Sequence, residues 1–309
     1  MGEKDLAEKT LEAYNDVFAD IVNVLLFNGK KLIKEDELEQ ETVNSVYKAD
    51  GKLHGLERDV AKFWNKNNVR IALLGLENQT DVDKDMPIRI MAYDGAAYRQ
   101  QLLNTYEADP ETGKQTKKKN ANPIYPVVTL VLYFGEKPWN QYKTLFESFD
   151  VMPELKPFLN DYRINVFEIA WLTDEQVNMF QSDFKIVADY FVQMRKNKNY
   201  VPSKQTINHV YEILQLMDVF TQDNRFVEYQ NLYVKGEKIN MCEYLDRIIS
   251  NGRNEGWNDG RNEGRNEGRI SAFYDMIKKG RLTVKEAAED IGVPISELLD
   301  KFKQYNLVL

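Results

Sequence analysis

The chain has 309 residues, a net charge of −8, one cysteine and two histidines. Hydrophobic residues make up 43% and aromatics 12%, enough for a sizeable core, which excludes disorder over most of the length. The lone Cys242 excludes an internal disulfide framework and reads as a packed thiol in a reducing cytoplasm. With only His54 and His209 beside it, a zinc site of the His/Cys kind is also excluded, so any metal is expected to be a hard cation held by carboxylates.

No apolar run approaches the roughly 20 residues needed to cross a bilayer, and the start lacks the pattern of a signal peptide. A cytoplasmic protein without a membrane partner is expected. The acidic balance argues against a nucleic-acid partner, but charge is uneven. Lys114, Lys117, Lys118 and Lys119 form one basic stretch, and Arg195, Lys196 and Lys198 another. Phosphate contacts are local, so such patches are compatible with DNA binding.

In chain order, Asp5 to Leu26 predicts one amphipathic helix, with Leu6, Tyr14, Val17, Phe18, Ile21 and Leu25 at helical spacing and Asn28-Gly29 as its stop. An extended piece at Val43 to Tyr47 leads to the turn Ala49-Asp50-Gly51. Two strands are expected next, Leu56 to Trp64 and Val69 to Gln79, joined by Asn65-Lys66-Asn67-Asn68. Asp85 to Leu103 predicts a helix with Pro87 in its first turn, where a missing N–H costs nothing. Glu107 to Asn122 lacks apolar periodicity and is expected to be a mobile loop. Val127 to Phe134 is continuously apolar, as a central strand covered on both faces should be.

Tyr162 to Ile169 predicts a weaker strand. Thr173 and Gln176 form a capping box for a helix carrying Val177, Phe180, Phe184, Val187 and Phe191. Further helices are expected over Gln205 to Phe220 and Met241 to Ile249. The order predicts an α/β core, a mixed sheet with helices on both faces. Gly252 to Arg269 is a tandem Arg-Asn-Glu-Gly repeat. A glycine every fourth residue costs a helix about 1 kcal/mol each, and the period places no Glu three or four residues before an Arg. A hydrated linker is the expectation. Three parts follow: a domain over residues 1–250, a linker over 251–269, and a small helix-turn-helix-like tail over 270–309, in which Thr283 caps a helix to Ile291 and Gly292-Val293-Pro294 turns the chain.

The chemistry is concentrated in the hairpin. Alternation places Asp59, Ala61 and Phe63 on one face, and Val69, Ile71, Leu73, Gly75, Glu77 and Gln79 on one face of the next strand. Buried carboxylates cost several kcal/mol unless paired or metal-bound. A register condition applies. If Trp64 pairs with Val69, Asp59 faces away from Glu77. If it pairs with Arg70, through a longer loop or a bulge, Asp59 lies opposite Gly75 with Glu77 its diagonal neighbour, and Gly75 leaves space for a cation.

Asp59 followed by Glu77-Asn78-Gln79 resembles the D…(D/E)xK site of the PD-(D/E)XK nuclease superfamily. NDVFADIVN (15–23), ERDVAKFW (57–64), GLENQTDVDKDMPIRIMAYDGAAYRQQL (75–102) and TLVLYFG (129–135) resemble the Rpn group of recombination-promoting nucleases, also called putative transposases. The resemblance covers roughly residues 5 to 250. It implies a restriction-endonuclease-like αβββαβ core with a helical C-terminal extension, and DNA cleavage dependent on Mg2+ or Mn2+ in recombination, mobile-element biology or defence against foreign DNA.

The resemblance also implies the site: Asp59 and Glu77 as metal ligands, with the Asn78 backbone carbonyl as a third and Asp20 as a further candidate. Gln79 stands where the superfamily carries lysine, and an amide orients water without helping to deprotonate it. Arg89, Tyr93 and Gln100 form a helical stripe that, with Lys117, Lys118 and Lys119, supplies candidate DNA contacts. Asp16, Asp20 and Asn23 form another stripe beside the apolar face of the first helix. The rival reading is a non-catalytic DNA-binding or assembly protein, with homo-oligomers formed through the tail.

Overall fold

A computed structural model describes residues 3–41, 45–49, 52–56, 58–67, 69–109, 113–118, 123–222, 226 and 238–308. They form two compact units, Met1–Cys242 and Glu243–Leu309.

The first unit opens with α1 (Glu3–Glu12) and α2 (Asn15–Phe27). The single helix expected from the periodicity is thus broken at Ala13 and Tyr14. The physical reason lies in side chains from elsewhere. Lys62 donates to the Ala13 carbonyl at 2.5 Å, to Asn15 Oδ1 at 2.6 Å and to Gln40 Oε1 at 3.0 Å. Tyr14 donates to Glu212 at 2.7 Å and stacks on His209 at 3.8 Å between ring centroids. Long-range hydrogen bonds reward the break, and local spacing cannot reveal them.

A five-stranded mixed sheet follows: β1 (Leu38–Gln40), β4 (Val60–Lys66), β5 (Val69–Gln79), β8 (Val127–Tyr133) and β9 (Asn165–Glu168), in the order β1-β4-β5-β8-β9. The first three pair antiparallel, while β5, β8 and β9 run parallel. Between β5 and β8 the chain crosses over through α3 (Met86–Thr105), as parallel neighbours require. Pro87 sits in its first turn, as expected. The Val127 run is the buried strand it was expected to be, flanked on both sides.

The stretch before the site differs from the expected strand. Leu56 belongs to a separate hairpin, β2 (Ser45–Ala49) with β3 (Lys52–Leu56), and β4 starts at Val60. Asp50, Gly51 and Asn68 lie outside the described residues. The mobile loop expected at 107–122 carries a small hairpin, β6 (Tyr106–Ala108) with β7 (Gln115–Lys117). The helix expected after Thr173 has its capping box but divides into α4 (Asp174–Met179) and α5 (Phe184–Asn197). Ser182 and Asp183 occupy the gap, and the buried Asp183 carboxylate accepts from the backbone N–H of Asn208 and His209 just before α6 (Val210–Thr221).

Alternation along β4 divides the core. Ala61 and Phe63 join Leu73, Ala97, Val127 and Tyr125 on the α3 side. Met86 and Ile90 of α3 pack with Val131, Tyr133, Trp139 and Ile164 in the neighbouring cluster. Lys62 points the other way, 2% exposed, towards Phe18 of α2. Burial lowers its pKa to about 8, opposed by the charge of Asp16.

The second unit departs from the expected linker. One helix, α7 (Met241–Lys278), runs through the whole Arg-Asn-Glu-Gly repeat, whose side chains from Gly252 to Arg269 are exposed. Both flanks are helical, the later one anchored by packing of Ile270 and Tyr274, so the repeat is entered from two sides without a fresh nucleation cost. Arg261 lies over the Trp257 ring at 5.2 Å, one helical turn away. Ile270 and Tyr274 then pack with Ala287 and Ala288 of α8 (Val284–Ile291) and Leu298 and Phe302 of α9 (Ile295–Gln304). Thr283 and Glu286 form a capping box, and Gly292 takes φ +82 at the turn.

Two stability outcomes follow. Lys62→Met should lower unfolding stability by about 2–3 kcal/mol in a denaturant titration, because a buried ammonium and its three part-buried hydrogen bonds are lost. An unchanged midpoint would remove Lys62 as the clamp on α1. Replacing Gly256, Gly260 and Gly264 with Ala should raise helical ellipticity and slow amide exchange across the repeat. An added Cβ meets nothing within 4 Å at any of them, and each change favours helix by about 1 kcal/mol.

Candidate active site

The two strands bring the two acids together more directly than the expected register. Val60 pairs with Leu76 and Ala61 with Gly75, and a bulge falls between Trp64 and Asn65. The irregularity that the hairpin needed is present, but Trp64 pairs with Ala72 instead of Arg70. Continuing this register one residue beyond β4 sets Asp59 directly opposite Glu77. Asp59 Oδ2 accepts the Asn78 backbone N–H at 2.6 Å, fixing the acid at the mouth of the strand pair.

Glu77 is 3% exposed. Its Oε1 accepts from Arg89 at 2.5 Å, while its Oε2 is buried without a hydrogen-bond partner. Burial, reinforced by the negative charge of Asp59, pushes the carboxyl up to about 8 against the pull of Arg89, Lys9 and Arg58. Arg89 also pairs with Asp83 at 2.8 Å, and so reaches the site from α3 as a half-exposed cation.

From the other side α1 contributes two groups that sequence reasoning missed. Lys9 Nζ lies 2.7 Å from Asp59 Oδ1. Glu12, buried, accepts from the Asn78 side-chain amide at 2.8 Å. Burial holds the Glu12 carboxyl well above the usual carboxylate range. The available signal was the spacing of Ala7, Glu8, Leu11 and Glu12, two acids on the same helical face as two buried apolar residues. Charged residues on a helix ordinarily read as solvated, which hid them. Lys9, Thr10, Ala13, Tyr14, Gln40, Asp59 and Val60 line an open cavity of about 490 Å3 beside this cluster.

A third missed residue fills the space above Gly75, which was expected to be open for a cation. Arg58 lies there, and a Cβ added to Gly75 would collide with its Cδ. The guanidinium pairs with buried Asp94 at 2.5 Å and donates from Nε to Thr129 at 3.0 Å. Asp94 also accepts from Thr129 and Tyr162. This buried set anchors the residue next to Asp59 to α3 and β8.

The remaining expectations separate cleanly. Asp20 is not brought to the acids: its Oδ2 accepts the backbone N–H groups of Gln181 at 2.8 Å and Ser182 at 2.7 Å. Its stripe partners are likewise engaged, Asp16 with His209 at 3.0 Å and Asn23 with the backbone of Leu32 and Ile33. Tyr93 packs against the Met86 cluster within 3.4 Å of Arg89. Gln100 is exposed and donates to Asn104 at 3.4 Å. Lys117 lies exposed in β7, and Lys118 reaches the Leu103 carbonyl at 3.4 Å. Lys119 lies outside the described residues.

Among the described residues no group of three or more His, Cys, Asp or Glu is placed to hold a metal. The fit to a hard cation therefore rests on two carboxylates, and Mg2+ commonly takes one or two together with water and substrate phosphate. The buried, unpartnered Glu77 Oε2 beside Asp59 suits that donor set. A backbone carbonyl is also at hand. Gln79 O accepts from Phe134 on the β8 side, so by strand alternation the Asn78 carbonyl points towards Asp59.

Glu77 gives the site a pH signature. Its folded pKa near 8 lies above the ordinary value of 4.5, so its contribution to stability is complete below about pH 4.5 and is lost as pH rises through about 8. Without divalent cation, the melting temperature should fall more steeply over that window in the parent protein than in Glu77→Gln. Equal slopes would remove Glu77 as the source.

Comparison with known families matches residues 65–225, just over half of the chain, to the family described as putative transposase, YhgA-like. The matched stretch includes Glu77, Gln79, Arg89, α3 and β8, and begins after α1 and Asp59. Comparison with curated proteins and with solved structures gives no match. Among the described residues no helix is long and apolar enough to cross a membrane. The chain belongs to the YhgA-like putative transposases, the Rpn group of PD-(D/E)XK putative transposases.

Proposed function

We propose that the protein is a Mg2+-dependent DNA endonuclease, built on an αβββαβ nuclease core and acting on mobile or foreign DNA. The observation that carries this reading is Asp59, just before β4, fastened to the Asn78 backbone N–H beside buried Glu77, one of whose oxygens is left unpartnered. Asp59, Glu77 and the Asn78 carbonyl would hold the cation. Bound there, Mg2+ supplies Lewis-acid polarisation of the phosphate and a lowered pKa for attacking water.

The chain's own residues divide the rest of the work. Asp59 is held by the Asn78 N–H on one oxygen and faces Lys9 with the other, so its orientation is fixed from both sides. Gln79, two residues on from Glu77 and on the same face, orients water through its amide. Arg89 balances the charge of Glu77 and lies where a phosphate oxygen can exchange for one of its carboxylate partners. Arg58, Asp94 and Thr129 keep the strand entry rigid, so the two acids stay in register.

A non-catalytic DNA-binding or assembly role is the alternative, favoured by the absence of a three-acid group among the described residues and by the neutral Gln79. The test is cleavage of plasmid and linear DNA by purified protein with Mg2+ or Mn2+. Glu77→Ala should lower the rate about 100-fold or more, close to 2.7 kcal/mol of barrier. Undiminished cleavage by that variant rejects the assignment, and saturable DNA binding without cleavage under either cation supports the alternative.

A further inference from the structure

We infer that Lys9 on α1 is the cation that meets the phosphodiester being cut, a role that β5 leaves to a neutral amide at Gln79. The inference rests on the nuclease reading above and names a substrate contact for that site. Three observations carry it. First, residues 77–79 read Glu-Asn-Gln, so this end of β5 brings one acid, two neutral amides and no positive charge to the site. Hydrolysis of a phosphodiester builds negative charge on the phosphoryl oxygens, and a fixed cation there stabilises it.

Second, Lys9 is delivered by a separate helix to 2.7 Å from Asp59 Oδ1. The helix itself is secured. Leu11 and Ala7 are buried, Lys62 binds the Ala13 carbonyl, and Tyr14 binds Glu212. Lys9 is therefore held over the acids by its backbone, unlike a wandering surface lysine.

Third, Lys9 lines the 490 Å3 cavity together with Asp59, and its side chain is 20% exposed. A phosphate oxygen entering that cavity meets the ammonium and the acid in one place. Arg89 approaches Glu77 from α3, so two helices supply one cation to each carboxylate. A purely structural Lys9 would prop Asp59 in position, and that role makes opposite predictions.

The experiment compares the full-length parent, Lys9→Met, Lys9→Arg and Glu77→Ala in three measurements. Calorimetric Mn2+ binding without DNA should be as tight or tighter in Lys9→Met, because a repelling charge is gone, and weaker in Glu77→Ala. The salt dependence of binding to a short duplex, measured with Ca2+, should lose a slope of about one in Lys9→Met. Single-turnover cleavage at saturating DNA should fall about 100-fold in Lys9→Met and recover in Lys9→Arg. An unchanged salt slope and rate in Lys9→Met would overturn the inference and leave the nuclease reading intact. Loss of Mn2+ binding by Lys9→Met would also overturn it, by making Lys9 a prop. If the parent cleaves no DNA with any divalent cation, the nuclease reading fails, and the salt slope still decides whether Lys9 contacts phosphate.

Discussion

Glu77 is a carboxylate buried at the end of a central strand with a second carboxylate, Asp59, opposite it. Two like charges in a place with little water are unstable unless something positive joins them or one takes up a proton. Much of the surrounding structure answers that problem. Arg89 reaches in from α3, Lys9 from α1, and the Asn78 N–H from the strand itself. Even so, burial keeps the Glu77 carboxyl raised and one oxygen lacks a partner. A fold that maintains this strain at one point invites a cation there.

The sheet sets the position and the helices set the charge. The bulge between Trp64 and Asn65 fixes the register of β4 on β5, and with it which residue stands across from Glu77. Arg58, folded over Gly75 into the Asp94 and Thr129 set, ties the entry of β4 to the far side of the sheet. Lys62, one strand position past Ala61, sends its ammonium to the opposite face and clamps the end of α1. The site is thus tuned by residues on both faces of one short strand.

The parts of the fold that were legible in sequence are those governed by local pattern. The apolar Val127 run, Pro87 in the first turn of α3, the Thr173 capping box, the Thr283 cap and the Gly292 turn all follow from their own neighbours. The approach of Asp59 to Glu77 was legible only as a condition on register, and the register found, Trp64 on Ala72, differs from the one expected because it depends on a bulge that alternation cannot locate. What was hidden depended on distant partners. The α1–α2 break needs Lys62 and Glu212, Asp20 is claimed by the backbone at Gln181 and Ser182, and Lys9 and Glu12 gain meaning only when α1 lies over the strands. The glycine repeat misled for the converse reason. Its residue costs are real, yet the helix on each side carries the chain through it.

Anomalous diffraction from a crystal soaked in Mn2+ bears most directly on the central claim. A single peak within bonding distance of Asp59, Glu77 and the Asn78 carbonyl, with Arg89 drawn away from Glu77, is the predicted result. Full occupancy of the Lys9–Asp59 and Arg89–Glu77 pairs at high Mn2+, with no peak between the acids, would contradict it.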